Sequence, residues 1–263
     1  MTLAATRLVD GAVPEISLHA VTKSFSPDRQ IIAPLTIEIA KGEFVSLLGP
    51  SGCGKSTILK LISGLTPPTS GTIAIDGMTP ANARETVSFI FQDATLLPWR
   101  TVWQNVGLGL ELEGAPRHQR EEKTAALLNL VGLAHVASAY PRELSGGMKM
   151  RVSIARALAT NPRLLLMDEP FSALDEMSRD RLNEELLHLR AEQNWSAVFV
   201  THSVAEAVFL STKIIVLAPN PGRIHAIIAV DLPNERTATV RDTPQFEAQV
   251  AHASRALREA LTA

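Results

Sequence analysis

Four sets of polar residues stand at the ends of short apolar runs, and their types suggest one chemistry. The first is Gly49-Pro50-Ser51-Gly52-Cys53-Gly54-Lys55-Ser56, directly after Phe44 to Leu48. Glycines at its first and sixth positions, followed by Lys and Ser, let successive backbone N–H groups curl around phosphate oxygens. Lys55 reaches the outer phosphates, and Ser56 offers a hydroxyl to Mg²⁺. The next residues, with Ile58, Leu59, Leu61 and Ile62, predict a helix whose positive end points at the same charge.

The other three sets are Gln92 after Phe89-Ile90-Phe91, Asp168-Glu169 after Leu164 to Met167, and Thr201-His202 after Ala197 to Val200. Adjacent carboxylates at the end of an apolar strand are costly without a counter-charge. A Mg²⁺ held by Asp168 through water supplies one, leaving Glu169 to orient or deprotonate an attacking water. Taken alone, the pair equally fits a strand ending in a solvated loop. Leu144-Ser145-Gly146-Gly147 precedes a helical stretch, Met148 to Ala159. Ser145 can cap that helix and the glycines bare backbone amides, which makes either a second anion-binding helix end or an ordinary cap.

These residues need a scaffold. Short runs apolar on both faces predict buried parallel strands alternating with helices. In such open α/β sheets ligands sit at the carboxyl ends of the strands, where all four polar sets fall. Glu15 to Phe25, Ile32 to Ile39 and Thr72 to Asp76 instead show alternation with turn residues, which predicts a flanking antiparallel sheet. From Thr101 to Thr160 the pattern is helical, with an amphipathic helix over Glu121 to Val131. The expected fold is therefore an α/β nucleotide-binding core with a parallel sheet, an N-terminal antiparallel β subdomain and an inserted helical subdomain. Residues 15–92 and 161–235 form the expected core with its β subdomain, 93–160 the helical insertion and 236–263 a helical tail, all in one domain. Pro and Gly interrupt the chain between Pro219 and Asn234. Thr243 and Pro244 open a last helix with Phe246, Val250, Leu257 and Leu261 along one packing face.

The totals narrow the function classes. The chain has 263 residues, 46% hydrophobic and 20% charged, which suits a folded domain with a sizeable core. Its 25 Lys and Arg against 27 Asp and Glu argue against a nucleic-acid partner. One cysteine, Cys53, excludes an intrachain disulfide and fits a reducing compartment. Next to a helix N-terminus and Lys55, its thiol is expected to have a lowered pKa and react readily, unless it is packed and inert. Met1 to Pro14, interrupted by Arg7 and Asp10, does not match a secretory signal. No apolar run is long enough to span a bilayer, so any membrane connection is expected through a partner.

Together these motifs resemble the nucleotide-binding subunits of ABC transporters. Leu144 to Gly147 is similar to that family's signature motif, with Met148 where Gln is usual. Gln92 resembles the Q-loop, Ser172-Ala173-Leu174-Asp175 the D-loop and His202 the switch histidine. Phe25 resembles the aromatic that stacks on adenine, though a lone Phe in a β stretch is often simply core. The resemblance implies Mg²⁺·ATP as cofactor. It implies nucleotide contacts from Gly49, Pro50, Ser51, Gly52, Cys53, Gly54, Lys55, Ser56 and Thr57, and from Ser145, Gly146, Gly147 and Asp175. It gives catalytic roles to Lys55, Gln92, Glu169 and His202, and metal contacts to Ser56, Gln92 and Asp168. It also implies a head-to-tail dimer in which each ATP lies between one chain's phosphate loop and the other's signature helix.

Phe91-Gln92-Asp93 with Leu96-Leu97-Pro98-Trp99 resembles the importer branch serving nitrate, sulfonates, taurine, bicarbonate and pyrimidine thiamine precursors. Met148-Lys149 resembles it too. That branch implies permease subunits as partners, indirectly a solute-binding protein outside the cytoplasm, and a peripheral place on the cytoplasmic face of the inner membrane. Leu96, Leu97 and Trp99 are then a groove for a membrane subunit, or else core of the helical subdomain. A soluble ABC ATPase acting on ribosomes or DNA is the alternative, but this chain has one cassette, no heptad run and no basic excess. A small-molecule P-loop kinase would need no signature helix, and an exporter carries less weight.

Overall fold

The structure is a computed structural model that describes residues 14–193, 195–233 and 236–262. The reading of the leading segment therefore lies, Pro14 apart, outside the described residues.

The chain opens with β1 (Ile16–Ser26) and β2 (Arg29–Ile39), continues through β3 (Phe44–Leu48) and α1 (Lys55–Ile62), and returns as β4 (Ser70–Ile75). β1, β2 and β4 form the antiparallel sheet, ordered β2-β1-β4. Alternation drives it: Leu35, Ile37 and Ile39 are buried while Thr36 is exposed between them, so one face packs and the other meets water. The register of β1 shifts between Leu18 and Val21, where Ala20 adopts a φ of 47°. That bulge keeps both Leu18 and Val21 in the core.

Next come β5 (Val87–Ile90), α2 (Val102–Val106), α3 (Leu108–Leu112), α4 (Arg117–Leu130), α5 (Gly146–Leu158) and β6 (Leu164–Asp168). The chain then runs through α6 (Glu176–Gln193), β7 (Ser196–Val200), α7 (Val204–Leu210), β8 (Lys213–Ala218), β9 (Arg223–Ala229) and α8 (Pro244–Thr262). The larger sheet is ordered β5-β6-β7-β3-β8-β9. β5, β6, β7, β3 and β8 run parallel to one another; β9 pairs antiparallel to β8.

Both faces of this sheet are covered, which explains its unbroken apolar runs. Val45, Leu47, Leu164, Leu166, Val198 and Val200 face the core shared with α1 and the antiparallel sheet. The alternate residues Phe44, Leu48, Leu165, Met167 and Phe199 face the helices on the other side. Each such side chain stabilises the fold by about 1.5–3 kcal/mol on burial. Phe44 anchors that second face, with its ring centroid 5.9 Å from Phe199 and 6.2 Å from Trp195.

The C-terminal region departs from expectation. Pro219 to Gly222 do not break the chain away from the sheet; they turn β8 into β9, an edge strand. The run Lys213 to Ala218 is itself a buried central element, so its neighbour gains pairing and shelter that a local reading of Pro and Gly cannot foresee. In α8, Thr243 Oγ1 accepts the N–H of Phe246 at 3.3 Å, as a cap should. Phe246 is buried, and Val250 and Leu257 pack against the core. Leu261 is not on the packed face: it is 57% exposed, while Ala253, Ala256 and Ala260 are buried instead. Small residues there let the helix lie close on β8.

Candidate nucleotide site

The order of strands brings the four polar sets together. β5, β6, β7 and β3 are consecutive neighbours, and their carboxyl ends lead to Gln92, Glu169, His202 and the glycine loop in that order. All four line one cavity of about 600 Å³, with Phe25, Arg29, Ile31, Ser51, Gly52, Gly54, Lys55, Ser56 and Thr57.

The loop is shaped by backbone that only glycine tolerates. Gly54, at the start of α1, has a φ of 95°, and a Cβ there would come within 2.2 Å of Ile32 Cδ1. The helix therefore starts with its amides turned into the cavity. Lys55 is buried, and its Nζ donates to the carbonyls of Gly49 and Pro50 at 2.8 and 2.9 Å. Those bonds hold the ammonium over the loop.

Ser56 Oγ donates to Asp168 Oδ1 at 2.9 Å. Burial pushes the Asp168 carboxyl up, and the neighbouring Glu169 adds to this, while the Ser56 hydroxyl and the Lys60 and Lys55 ammonium groups oppose it. A carboxylate so placed wants a cation. Among the described residues no three His, Cys, Asp or Glu side chains gather to hold a metal alone. The hydroxyl of Ser56 and the carboxylate of Asp168 are oxygen donors of the kind that would suit a Mg²⁺.

Glu169 is held on every side. Its backbone lies at a φ of 49°, sparsely populated for a side chain with a Cβ. Its N–H donates to Val200 O at 3.0 Å, and its carbonyl accepts from Ser172 N at 3.2 Å and Ser172 Oγ at 2.9 Å. The carboxylate then sits between His202 Nε2, 2.6 Å from Oε1, and Gln92 Nε2, which donates to Oε2 at 3.4 Å.

Other expected residues fall differently. Phe25 is not core: it is 64% exposed at the cavity, with Lys23 Nζ 5.1 Å from its ring centroid. Cys53 is fully buried in the core beneath the loop. Burial pushes its thiol up, against the smaller pull of Lys55. Of the two alternatives, a reactive thiol or a packed and inert one, the structure favours the packed one, because desolvation outweighs a nearby ammonium. Cys53, like Gly49 and Pro50, is not among the residues that line the cavity.

Ser145, Gly146, Gly147 and Asp175 do not line the cavity of their own chain. Ser145 and Gly146 are exposed, and Ser145 Oγ caps α5 by accepting the N–H of Met148 at 3.3 Å. A Cβ on Gly147 would lie 3.0 Å from the carbonyl oxygen of Ala173, so the signature and the D-loop pack directly together. Asp175 caps α6: the N–H of Ser178 donates to Oδ1 at 2.9 Å and holds the carboxyl below its usual range.

Sequence reasoning missed Arg29 and Ile31 in the cavity, which stand where β2 is irregular and carry no local pattern. It also missed Glu206 and Arg236. Arg236 is buried, donating to the carbonyls of Val208, Phe209, Ser211 and Pro233. It tethers the C-terminal tail to the end of α7.

A parallel sheet with a glycine loop, a lysine and paired carboxylates at its strand ends is the site of a P-loop nucleotide-binding protein. The comparisons with known proteins define the family within that class. The family model described as ABC transporter matches residues 32–172, and the chain belongs to that family. It is 44% identical over 218 residues to the nitrate import ATP-binding protein of a Synechocystis species, covering 81% of this chain and 82% of that one. It is 43% identical over 217 residues to the taurine import ATP-binding protein of Rhizobium johnstonii, covering 81% and 83%. A solved dimeric ATP-binding cassette in a post-hydrolysis state with ADP and phosphate superposes with a TM-score of 0.77 at 32% identity. It covers 83% of this chain and all of the other.

Proposed function

We propose that this chain is the ATP-hydrolysing subunit that powers import of a small solute of the nitrate, taurine or bicarbonate kind. One observation carries the catalytic reading: the Glu169 carboxylate is held between His202 and Gln92 at the mouth of the phosphate-loop cavity. The importer reading is supported by the likeness to nitrate and taurine import ATP-binding proteins.

In this reading the loop from Gly49 to Thr57 wraps the phosphates, and the Phe25 ring covers the base. Ser56, Asp168 and Gln92 would hold a Mg²⁺, which would supply positive charge to offset that of the phosphates. Glu169 accepts a proton from the attacking water. His202 Nε2 orients Glu169 in this state; released from that carboxylate, it would be free to contact the γ-phosphate, and Lys55 would stabilise charge on the oxygens being released.

Ser145, Gly146, Gly147 and Asp175 lie outside their own cavity, which supports a head-to-tail dimer in which they complete the partner's site. Among the described residues no helix is long and apolar enough to cross a membrane. Attachment at the cytoplasmic face of the membrane would therefore come through permease subunits docking on Leu97, Pro98 and Trp99. Residues 15–92 with 161–235 serve as the core, 93–160 as the helical subdomain and 236–263 as the tail.

The test is steady-state ATPase of the purified chain with and without Mg²⁺, followed by solute-stimulated ATPase after assembly with its permease in liposomes. Mg²⁺-dependent turnover that a transported oxyanion or sulfonate stimulates supports the proposal; no hydrolysis in either state overturns it.

A further inference from the structure

A buried chain of contacts leads away from the turn of His202 to Leu174. Thr201 Oγ1 accepts the N–H of Ser203 at 3.0 Å, so its hydroxyl closes the turn that carries His202. The same hydroxyl donates to Glu206 Oε2 at 2.5 Å. Glu206 is buried, and its Oε1 lies 3.3 Å from Arg179 Nε. Arg179 Nη2 in turn donates to the carbonyl oxygen of Leu174 at 3.0 Å, within the D-loop and next to the residues that pack on Gly147. Every link is a hydrogen bond or an ion pair, and only Arg179 among the three is appreciably exposed.

A carboxylate beneath a helix N-terminus needs no such partner set if its task is only to fill space. Burial pushes Glu206 up, while Thr201, Arg179 and Arg241 pull it back and Asp180 opposes them. Holding it there costs desolvation that a Leu or Met would avoid. What the arrangement supplies is direction: the turn of His202 and the D-loop are tied to the same carboxylate, from opposite oxygens.

We propose that Glu206, with Thr201 and Arg179, is a positioning group that locks the His202 turn to the D-loop, so that hydrolysis answers to the D-loop's position. This rests on the catalytic reading of His202 given above. None of the three touches the nucleotide cavity. They act through His202 on one side and Leu174 on the other.

The experiment compares Thr201→Val, Thr201→Ser, Arg179→Gln, the Val/Gln double variant and His202→Ala. It measures ATPase kcat and KM, affinity for a fluorescent ATP analogue, and thermal stability. Thr201→Val keeps shape and removes the hydroxyl. It is expected to lower kcat about tenfold while leaving analogue affinity within about twofold. Thr201→Ser is expected to recover most of that loss. The double variant is expected to fall no further than the worse single one, because both cut one chain; independent losses would multiply to about a hundredfold. Loss of affinity in step with kcat, failure of Ser to rescue, or multiplied losses would each overturn the proposal. Were Thr201→Val not to fold, Arg179→Gln against Arg179→Lys makes the same comparison, since that side chain is one-third exposed. Wild-type turnover in His202→Ala would mean that the site reading itself fails. An inactive His202→Ala beside a normal Thr201→Val would sink this inference alone.

Discussion

Glu169 Oε1 and His202 Nε2 are 2.6 Å apart, although 33 positions separate them in the chain. The register between β6 and β7 makes this contact, pairing Asp168 with Val200. Glu169 follows Asp168 directly and His202 lies two residues beyond Val200, so both leave the sheet at the same end. A slip of one residue would turn one of them to the opposite face.

Glu169→Gln keeps the shape and loses the base. ATPase activity is expected to fall on the order of a thousandfold. Binding of Mg²⁺·ATP should persist, because Lys55, Ser56 and Asp168 are untouched, and the dimer should be trapped. Turnover assays with light scattering in ATP check this. Near-normal turnover removes Glu169 from the chemistry.

Ser145→Arg tests whether the signature acts on another chain. Ser145 is exposed and lies outside its own cavity, so nucleotide affinity of the monomer should change by less than about twofold while ATPase is lost. Lys55→Ala is the contrast, since it removes an ammonium from the loop itself. Equal losses of monomer affinity in the two variants would refute a site completed by a partner.

Asp168→Asn should alter stability and metal use in opposite directions. The Asp168 carboxyl is raised in the folded protein by burial, so its ionised form weakens the fold. That weakening is absent below the ordinary Asp value of about 3.9, grows as pH rises from there and is complete above the raised folded value. The Asn variant, free of it, should match wild type in Tm at the acid end and exceed it near neutral pH without Mg²⁺. Its Mg²⁺-dependent gain in ATP affinity should vanish. A Tm difference independent of pH would show that ionisation of Asp168 is not what the fold resists.

Cys53 should resist maleimide. Its side chain is fully buried and its thiol is raised, so modification should wait on unfolding and proceed only in denaturant on the minutes scale of the assay. ATP should therefore make no difference beyond its effect on stability. Rapid labelling of folded protein that ATP blocks would contradict the buried placement.

Leu96 and Trp99 should separate folding from docking. Leu96 packs against the core, whereas Trp99 is 71% exposed. Leu96→Ala is expected to cost about 2 kcal/mol of stability. Trp99→Ala should leave stability unchanged and weaken assembly with the permease by about 2 kcal/mol. Thermal melts beside pull-down of the permease distinguish them. A collapse in stability for Trp99→Ala would make it a folding residue. Leu96 thus leaves the docking surface that the run Leu96-Leu97-Pro98-Trp99 suggested.

Much of this protein can be read from its sequence because the decisive signals are local. A phosphate loop needs glycines at fixed spacing within eight residues, a buried strand needs five apolar ones, and a strand end followed by Asp-Glu or Thr-His marks itself. Three antiparallel strands follow from alternation in the same way. Contacts across the chain were beyond such signals. Only the packing of β8 and the antiparallel sheet beneath the loop decided that the Cys53 thiol is dry rather than reactive. Only the shelter of β8 turned a Pro- and Gly-interrupted stretch into the edge strand β9. Likewise nothing near Glu206 in sequence marks its place between Thr201 and Arg179, because the partner that makes its burial tolerable comes from α6, 27 residues earlier. Desolvation and charge pairing depend on what surrounds a side chain in space, and that neighbourhood exists only once the chain has folded.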